Sequence, residues 1–207
     1  MTERVVLVPG LWMPAAVMVL LGARLARHGY AVSRFRYPSR RPIEGSIESL
    51  ARLARELAAG GARVHFVGHS LGGVLILEML ARHPDVHAAS TVLLGAPVRG
   101  SLTGRRFGAR RFGRWMMGAS RPLWESRHAR WTRAAPLGVI AGTVPLGLGR
   151  AVEGRLPGEN DGVVRLEETE VEGMTARALL PLGHSVLIVS RRVAELVAHF
   201  LAHGRFP

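Results

Sequence analysis

The 207-residue chain contains no cysteine. That absence excludes disulfides, thiolate catalysis and cysteine-ligated zinc, and leaves the compartment open. Lysine is absent too, so all 28 basic residues are arginine, a usage that fits codon bias in a GC-rich genome. Arginine does not titrate near neutrality, so the formal net charge of +13 is fixed and should attract anions. Aspartate is scarce, with Asp85 and Asp161 alone. No apolar run is long enough for a membrane span; Leu11 to Leu21 is too short and is followed by Arg24 and Arg27. The N-terminus runs directly into a strand-like segment without a basic stretch and apolar h-region, so a cytoplasmic location is expected.

What is present is apolar and alternating. Hydrophobic residues make up 48% of the chain, and its length suits one domain, residues 1–207. Strand-like runs at Arg4–Val8, Ala31–Phe35, Val64–Val67, Thr91–Leu94, Val139–Ala141 and Ala176–Leu180 are interleaved with helical patterns. The helices are expected over Pro14–Arg27, Ser46–Ala58 (with Ser46 as N-cap), Leu71–Arg82 and Val186–Leu201. This alternation predicts an α/β fold: a mostly parallel sheet of about six strands with helices on both faces. Chemistry in such folds collects at the carboxyl ends of the strands.

Gly68-His69-Ser70-Leu71-Gly72 is the most informative segment. It reads G-x-S-x-G between a strand and a helix, the context of a nucleophile elbow. Two glycines relieve crowding where strand meets helix, and Ser70 is lifted above the strand end. A serine hydroxyl needs a base and an orienting carboxylate. Of nine histidines, His184 follows the last strand and precedes the last helix, at the carboxyl edge. His69, the variable residue of the elbow, is expected to point away from that base. His199 and His203 lie on or after the last helix, and His28, His83 and His87 flank surface helices. Asp161, in the loop after the fifth strand, is the expected carboxylate, with Glu159 as the alternative acid; its Asn160-Asp161-Gly162 setting also reads as a plain Asx turn. Asp85 falls at the wrong end of the sheet. Backbone donors for an oxyanion are expected from Leu71, after the nucleophile, and from Leu11 in the Pro9-Gly10-Leu11-Trp12 turn. Trp12 is a candidate wall of an acyl pocket. No metal or organic cofactor is called for.

The oxyanion turn, the elbow, Leu94-Gly95-Ala96-Pro97, the Asn160–Val164 loop and the late His184 together resemble a small bacterial α/β-hydrolase of the lipase/esterase kind, over essentially the whole chain. The resemblance implies an α/β-hydrolase fold, a Ser-Asp-His triad and hydrolysis of carboxylic esters through an acyl-enzyme. It also implies a small-molecule ester or lipid substrate. Acyl transfer by the same triad, or a scaffold whose triad no longer turns over, are the alternatives. Two departures stand out. Pro9-Gly10 replaces the His-Gly of many relatives. The chain also begins at what resembles the third strand of the larger fold, hence about six strands rather than eight.

One stretch breaks the alternation. Arg99 to Arg133 carries ten arginines, one acid (Glu125) and three of the four tryptophans. It reads as a cap-like insertion over about 99–135. It is either a helix pair packed on the core, a lid resting on an anionic membrane surface, or a binder of phosphorylated ligands. No specific nucleic-acid motif accompanies it.

Overall fold

The computed structural model describes residues 2–10, 13, 15–38, 42–125, 127–128, 130–146 and 156–207. Its strands are β1 (Thr2–Val8), β2 (Ala31–Arg34), β3 (Ala62–His69), β4 (Thr91–Leu94), β5 (Leu137–Gly142) and β6 (Ala176–Leu180). They form one sheet in the order β2-β1-β3-β4-β5-β6, with every pairing parallel. A parallel sheet covered on both faces needs strands that are apolar at successive positions. In β1, Val5 and Leu7 enter one core cluster and Val6 and Val8 the other. This is the period-2 alternation of a strand buried on both sides.

The helices are α1 (Val19–Arg27), α2 (Ile43–Ala59), α3 (Leu71–Arg82), α4 (Leu102–Ala109), α5 (Arg111–Met117), α6 (Arg121–Glu125) and α7 (Arg191–His203). On one face Ile43, Ile47 and Leu50 of α2 and Val74 and Leu75 of α3 cover Val6 and Phe66. On the other, Leu21 and Leu25 of α1 and Val193, Val197 and Phe200 of α7 cover Leu7 and Val67. Phe200 is completely buried, and removing such a ring typically costs about 3–5 kcal/mol. Among the described residues no helix is long and apolar enough to cross a membrane.

Three helix boundaries differ from expectation. Ser46 does not cap α2; it lies inside the helix, buried, with no hydrogen-bond partner for its hydroxyl. Ile43 and Ile47, four apart, both face the core, and their burial extends the helix back to Pro42. The expected Pro14–Arg27 helix opens with a 3-10 turn at Ala15–Met18, and Pro14 lies outside the described residues. The last helix begins at Arg191 rather than Val186. Ser190 caps it by accepting from the Val193 amide at 3.3 Å, and the preceding His184–Val186 forms a separate 3-10 turn.

Candidate active site

β3 runs to His69 and α3 starts at Leu71, so Ser70 alone makes the turn. Its φ is 53° and its ψ −129°, and it is the one positive-φ non-glycine residue among those described. L-residues avoid that region, so the surrounding structure must impose it. It does so by close packing. A Cβ on Gly68 would stand 2.5 Å from the Gly73 Cα, and one on Gly72 would run into the carbonyl oxygens of Val8 and Pro9. Backbone bonds lock the turn from both sides: Ser70 N donates to Leu94 O at 2.9 Å, and Gly73 N donates to Ser70 O at 2.9 Å. Leu71 N opens α3, where the first amides lack intrahelical acceptors.

Asp161 and His184 meet beside this turn. His184 Nδ1 lies 2.7 Å from Asp161 Oδ2, and both residues are buried. Oδ1 of Asp161 accepts from the amides of Val163 (3.0 Å) and Val164 (2.8 Å), so the carboxylate is held as an acceptor. An ionised carboxylate cannot donate, so His184 Nδ1 carries the ring proton and its Nε2 is left with a free lone pair. The backbones are tied as well, His184 N donating to Asp161 O at 2.9 Å. Gly95, at the end of β4 with φ +55°, lets the pair come this close. A Cβ there would stand 3.0 Å from Asp161 Oδ2 and 3.1 Å from His184 Nδ1. The Asx turn is also real, with Gly162 N donating to Asn160 Oδ1 at 3.0 Å. Turn and carboxylate are therefore one device: the turn aims the acid. Ser70 Oγ makes no hydrogen bond to His184, a common state of such pairs before substrate binds.

His69 corrects an expectation. It does not point away from His184; the two rings lie against each other, tilted by 45°, with centroids 4.7 Å apart. Its Nε2 lies 3.2 Å from the His184 carbonyl oxygen, which can only accept, so Nε2 carries the proton. Nδ1 is then a bare acceptor. It is buried without a partner and sits 3.2 Å from where a Cβ on Gly10 would stand. Burial first, and then the neighbouring His184, hold the His69 pKa down at about 3, so the ring is neutral at any working pH. A strand's side chains alternate, but His69 is the last residue of β3, and its ring follows the bend of the elbow into the site. Its place directly before the serine was the one sequence signal for this contact.

The sequence matches the model of the alpha/beta hydrolase family over residues 5–199. The chain belongs to that family. A related protein of Pantoea ananatis, named "Putative carbamate hydrolase RutD", is 32% identical over 105 residues, covering 49% of this chain. The matched part is only 38% of that relative's own length. A mature Bacillus licheniformis lipase superposes with TM-score 0.72 at 16% identity, covering 97% of this chain and 92% of its own. A Paleococcus ferrophilus monoacylglycerol lipase gives 0.64 at 16%, covering 97% and 94%. At these identities the likeness of the solved structures is one of fold.

In this member of the alpha/beta hydrolase family the other candidates are placed as follows. Glu159, the alternative acid, is exposed, and the carboxylate on His184 Nδ1 is that of Asp161. Asp85 is exposed and pairs with Arg55 at 2.7 Å. Leu11 and Trp12 lie outside the described residues; Gly10, just before them, is next to Ser70, its virtual Cβ 3.1 Å from the serine Cβ. Leu146 and Val186 are 61% and 44% exposed; Val186 shares the 3-10 turn of His184, and the Leu146 backbone lies beside Gly183. The basic stretch folds into α4, α5 and α6. Met117, Leu123 and Trp124 join the core beside α3, while Phe112 and Trp115 do not.

Proposed function

We propose that this hydrolase cleaves carboxylic esters through an acyl-enzyme formed on Ser70. The observation that carries the reading is the strained Ser70 turn set beside a buried His184 whose Nδ1 is held at 2.7 Å by Asp161. In the reaction Ser70 Oγ attacks the ester carbonyl carbon, and His184 Nε2 takes the hydroxyl proton. Asp161 keeps the ring in the right tautomer and stabilises the imidazolium. Negative charge develops on the carbonyl oxygen, where the amides of Leu71 and Leu11 serve as donors. The imidazolium returns its proton to the leaving alcohol. Water, deprotonated by the same histidine, then attacks the acyl-serine and releases the acid. No step needs a metal or an organic cofactor. The exposed Leu146 and Val186, close to His184 along the backbone, favour an apolar acyl group.

The name of the Pantoea ananatis relative favours a second substrate class, carbamates, for which the same attack on a carbonyl applies. Labelling with a fluorophosphonate and mapping the adduct by mass spectrometry tests the shared chemistry. An adduct on Ser70 that is absent in His184→Ala supports the reading. A folded protein that takes no label rules it out in favour of a scaffold. Parallel series of p-nitrophenyl esters and carbamates then separate the two substrates, and an added alcohol or amine reveals any acyl transfer.

A further inference from the structure

We propose that the α4–α6 arm docks this protein on an anionic phospholipid surface, with Phe112 and Trp115 as the inserting side chains. Phe112 and Trp115 are 64% and 63% exposed, the highest exposures among the large apolar side chains described. They are three apart on α5, and their rings lie 5.9 Å from each other. Gly113 and Met117 face inward on the same helix, so α5 is anchored by one side and offers its aromatic side to solvent. Gly113 has no choice in this: a Cβ there would strike the Phe107 backbone.

The aromatic pair is framed by arginine. Arg111 and Arg114 alternate with it along α5, Arg105 and Arg106 are exposed on the neighbouring α4, and Arg110 links the two helices. Among the described residues no carboxylate pairs with Arg105, Arg111 or Arg114. Arg105, Arg114 and Arg121 line a cleft with Trp124, Gly104 and Gly108; its one acid, Glu125, pairs with Arg121 at 2.8 Å. Guanidinium groups around exposed aromatics match the layout of a bilayer interface. Arginines meet phosphate headgroups, and Trp and Phe reach the acyl boundary. A solvated helix gains nothing from exposing two large rings. The arm is also rooted at the catalytic edge of the sheet. It leaves the β4 end beside Asp161 and His184, and Thr103 Oγ1 of α4 donates to Val163 O at 2.6 Å in the acid loop. A docked arm would thus hold the Ser70 side of the sheet near the membrane.

The test is sedimentation of the intact protein with vesicles of phosphatidylglycerol and phosphatidylcholine, against vesicles of phosphatidylcholine alone. Binding is expected to be at least about tenfold stronger to the anionic vesicles and to weaken with salt. F112S/W115S and, separately, R111E/R114E should each lower it by about tenfold or more, while turnover of a short soluble ester is unchanged. Both pairs are exposed, so unchanged thermal unfolding certifies the variants. Equal binding to neutral vesicles, no binding, or binding indifferent to both variants overturns the proposal. So does an F112S/W115S variant that converts a dimer to a monomer, or one that loses oligonucleotide binding where vesicles never bound. The readout is lipid binding, so it stands or falls separately from ester hydrolysis.

Discussion

Two serine–histidine–carboxylate sets lie along β3, one just past its carboxyl end and one built on His65 within it, and they differ in geometry and access. At the carboxyl end stand Ser70, His184 and Asp161. Nearer the amino end, His65 Nδ1 lies 2.7 Å from Ser90 Oγ and its Nε2 2.6 Å from Glu3 Oε2. Glu3 as an ionised acceptor fixes the His65 proton on Nε2, so Ser90 donates to Nδ1. This second set is fully hydrogen-bonded, yet it offers no chemistry. Ser90 and His65 are 2% and 1% exposed. The amide after Ser90 is spent on the sheet, Thr91 N donating to Pro136 O at 2.9 Å, so no backbone donor awaits an oxyanion. Ser70 has the reverse: a strained turn, a helix N-terminus behind it and no bond made to His184. Residue types do not make a nucleophile; backbone conformation, access and available amides do.

The comparison is broken most sharply by paired alanines. Ser70→Ala should lower ester turnover on the order of 10⁴-fold or more with the fold intact, while Ser90→Ala should leave turnover within about twofold. A comparable loss in Ser90→Ala would mean that the buried set matters to catalysis. Next come the carboxylates. Asp161→Asn should reduce kcat by about 10³–10⁴-fold with KM little changed, and Glu3→Gln should not affect kcat. If Asp161→Asn retained most activity, Glu159 would take its place.

Acid sharpens the comparison through His69. Its folded pKa of about 3 lies below the unfolded value near 6.5, so the unfolded chain binds the extra proton in between. His69 therefore stabilises the fold fully above pH 6.5, and this is lost as pH falls towards 3, on the order of 5 kcal/mol in all. Burial lowers the His65 pKa too, adding in the same direction. Denaturant unfolding of wild type and His69→Asn against pH isolates the first contribution. The stability gap between the two should shrink on acidification, and a constant gap would contradict the assignment. His69→Ala should also reduce kcat by about 10- to 100-fold with KM little moved, because the His184 loop loses its brace. The smallest effect is structural. Ser90→Ala leaves His65 Nδ1 buried without a donor, a cost of about 1–3 kcal/mol that thermal unfolding reads directly.

Much of this was legible from local pattern. The elbow, the α/β alternation, α3, β4 and β6 follow from motif, period and turn chemistry, which are properties of short segments. Boundaries were less legible where burial overrode them, as when Ile43 and Ile47 carried α2 past Ser46. The His69 contact was not legible, because side-chain direction at a strained turn depends on backbone angles that no residue spacing records. His65 illustrates the same gap, since Glu3 and Ser90 reach it only through strand register.

The sequence by itself determined the strand-turn-helix setting of Ser70 and the scarcity of aspartate that singled out Asp161. It also determined a positive charge that no pH near neutrality removes. The tertiary structure alone decided that His69 lies against His184, that Ser90 and Glu3 meet on His65, and which two aromatics of the basic arm stay in solvent. The physical reason is range. Motif and charge are written in consecutive residues, whereas pairing, burial and protonation arise only when distant segments exclude water together.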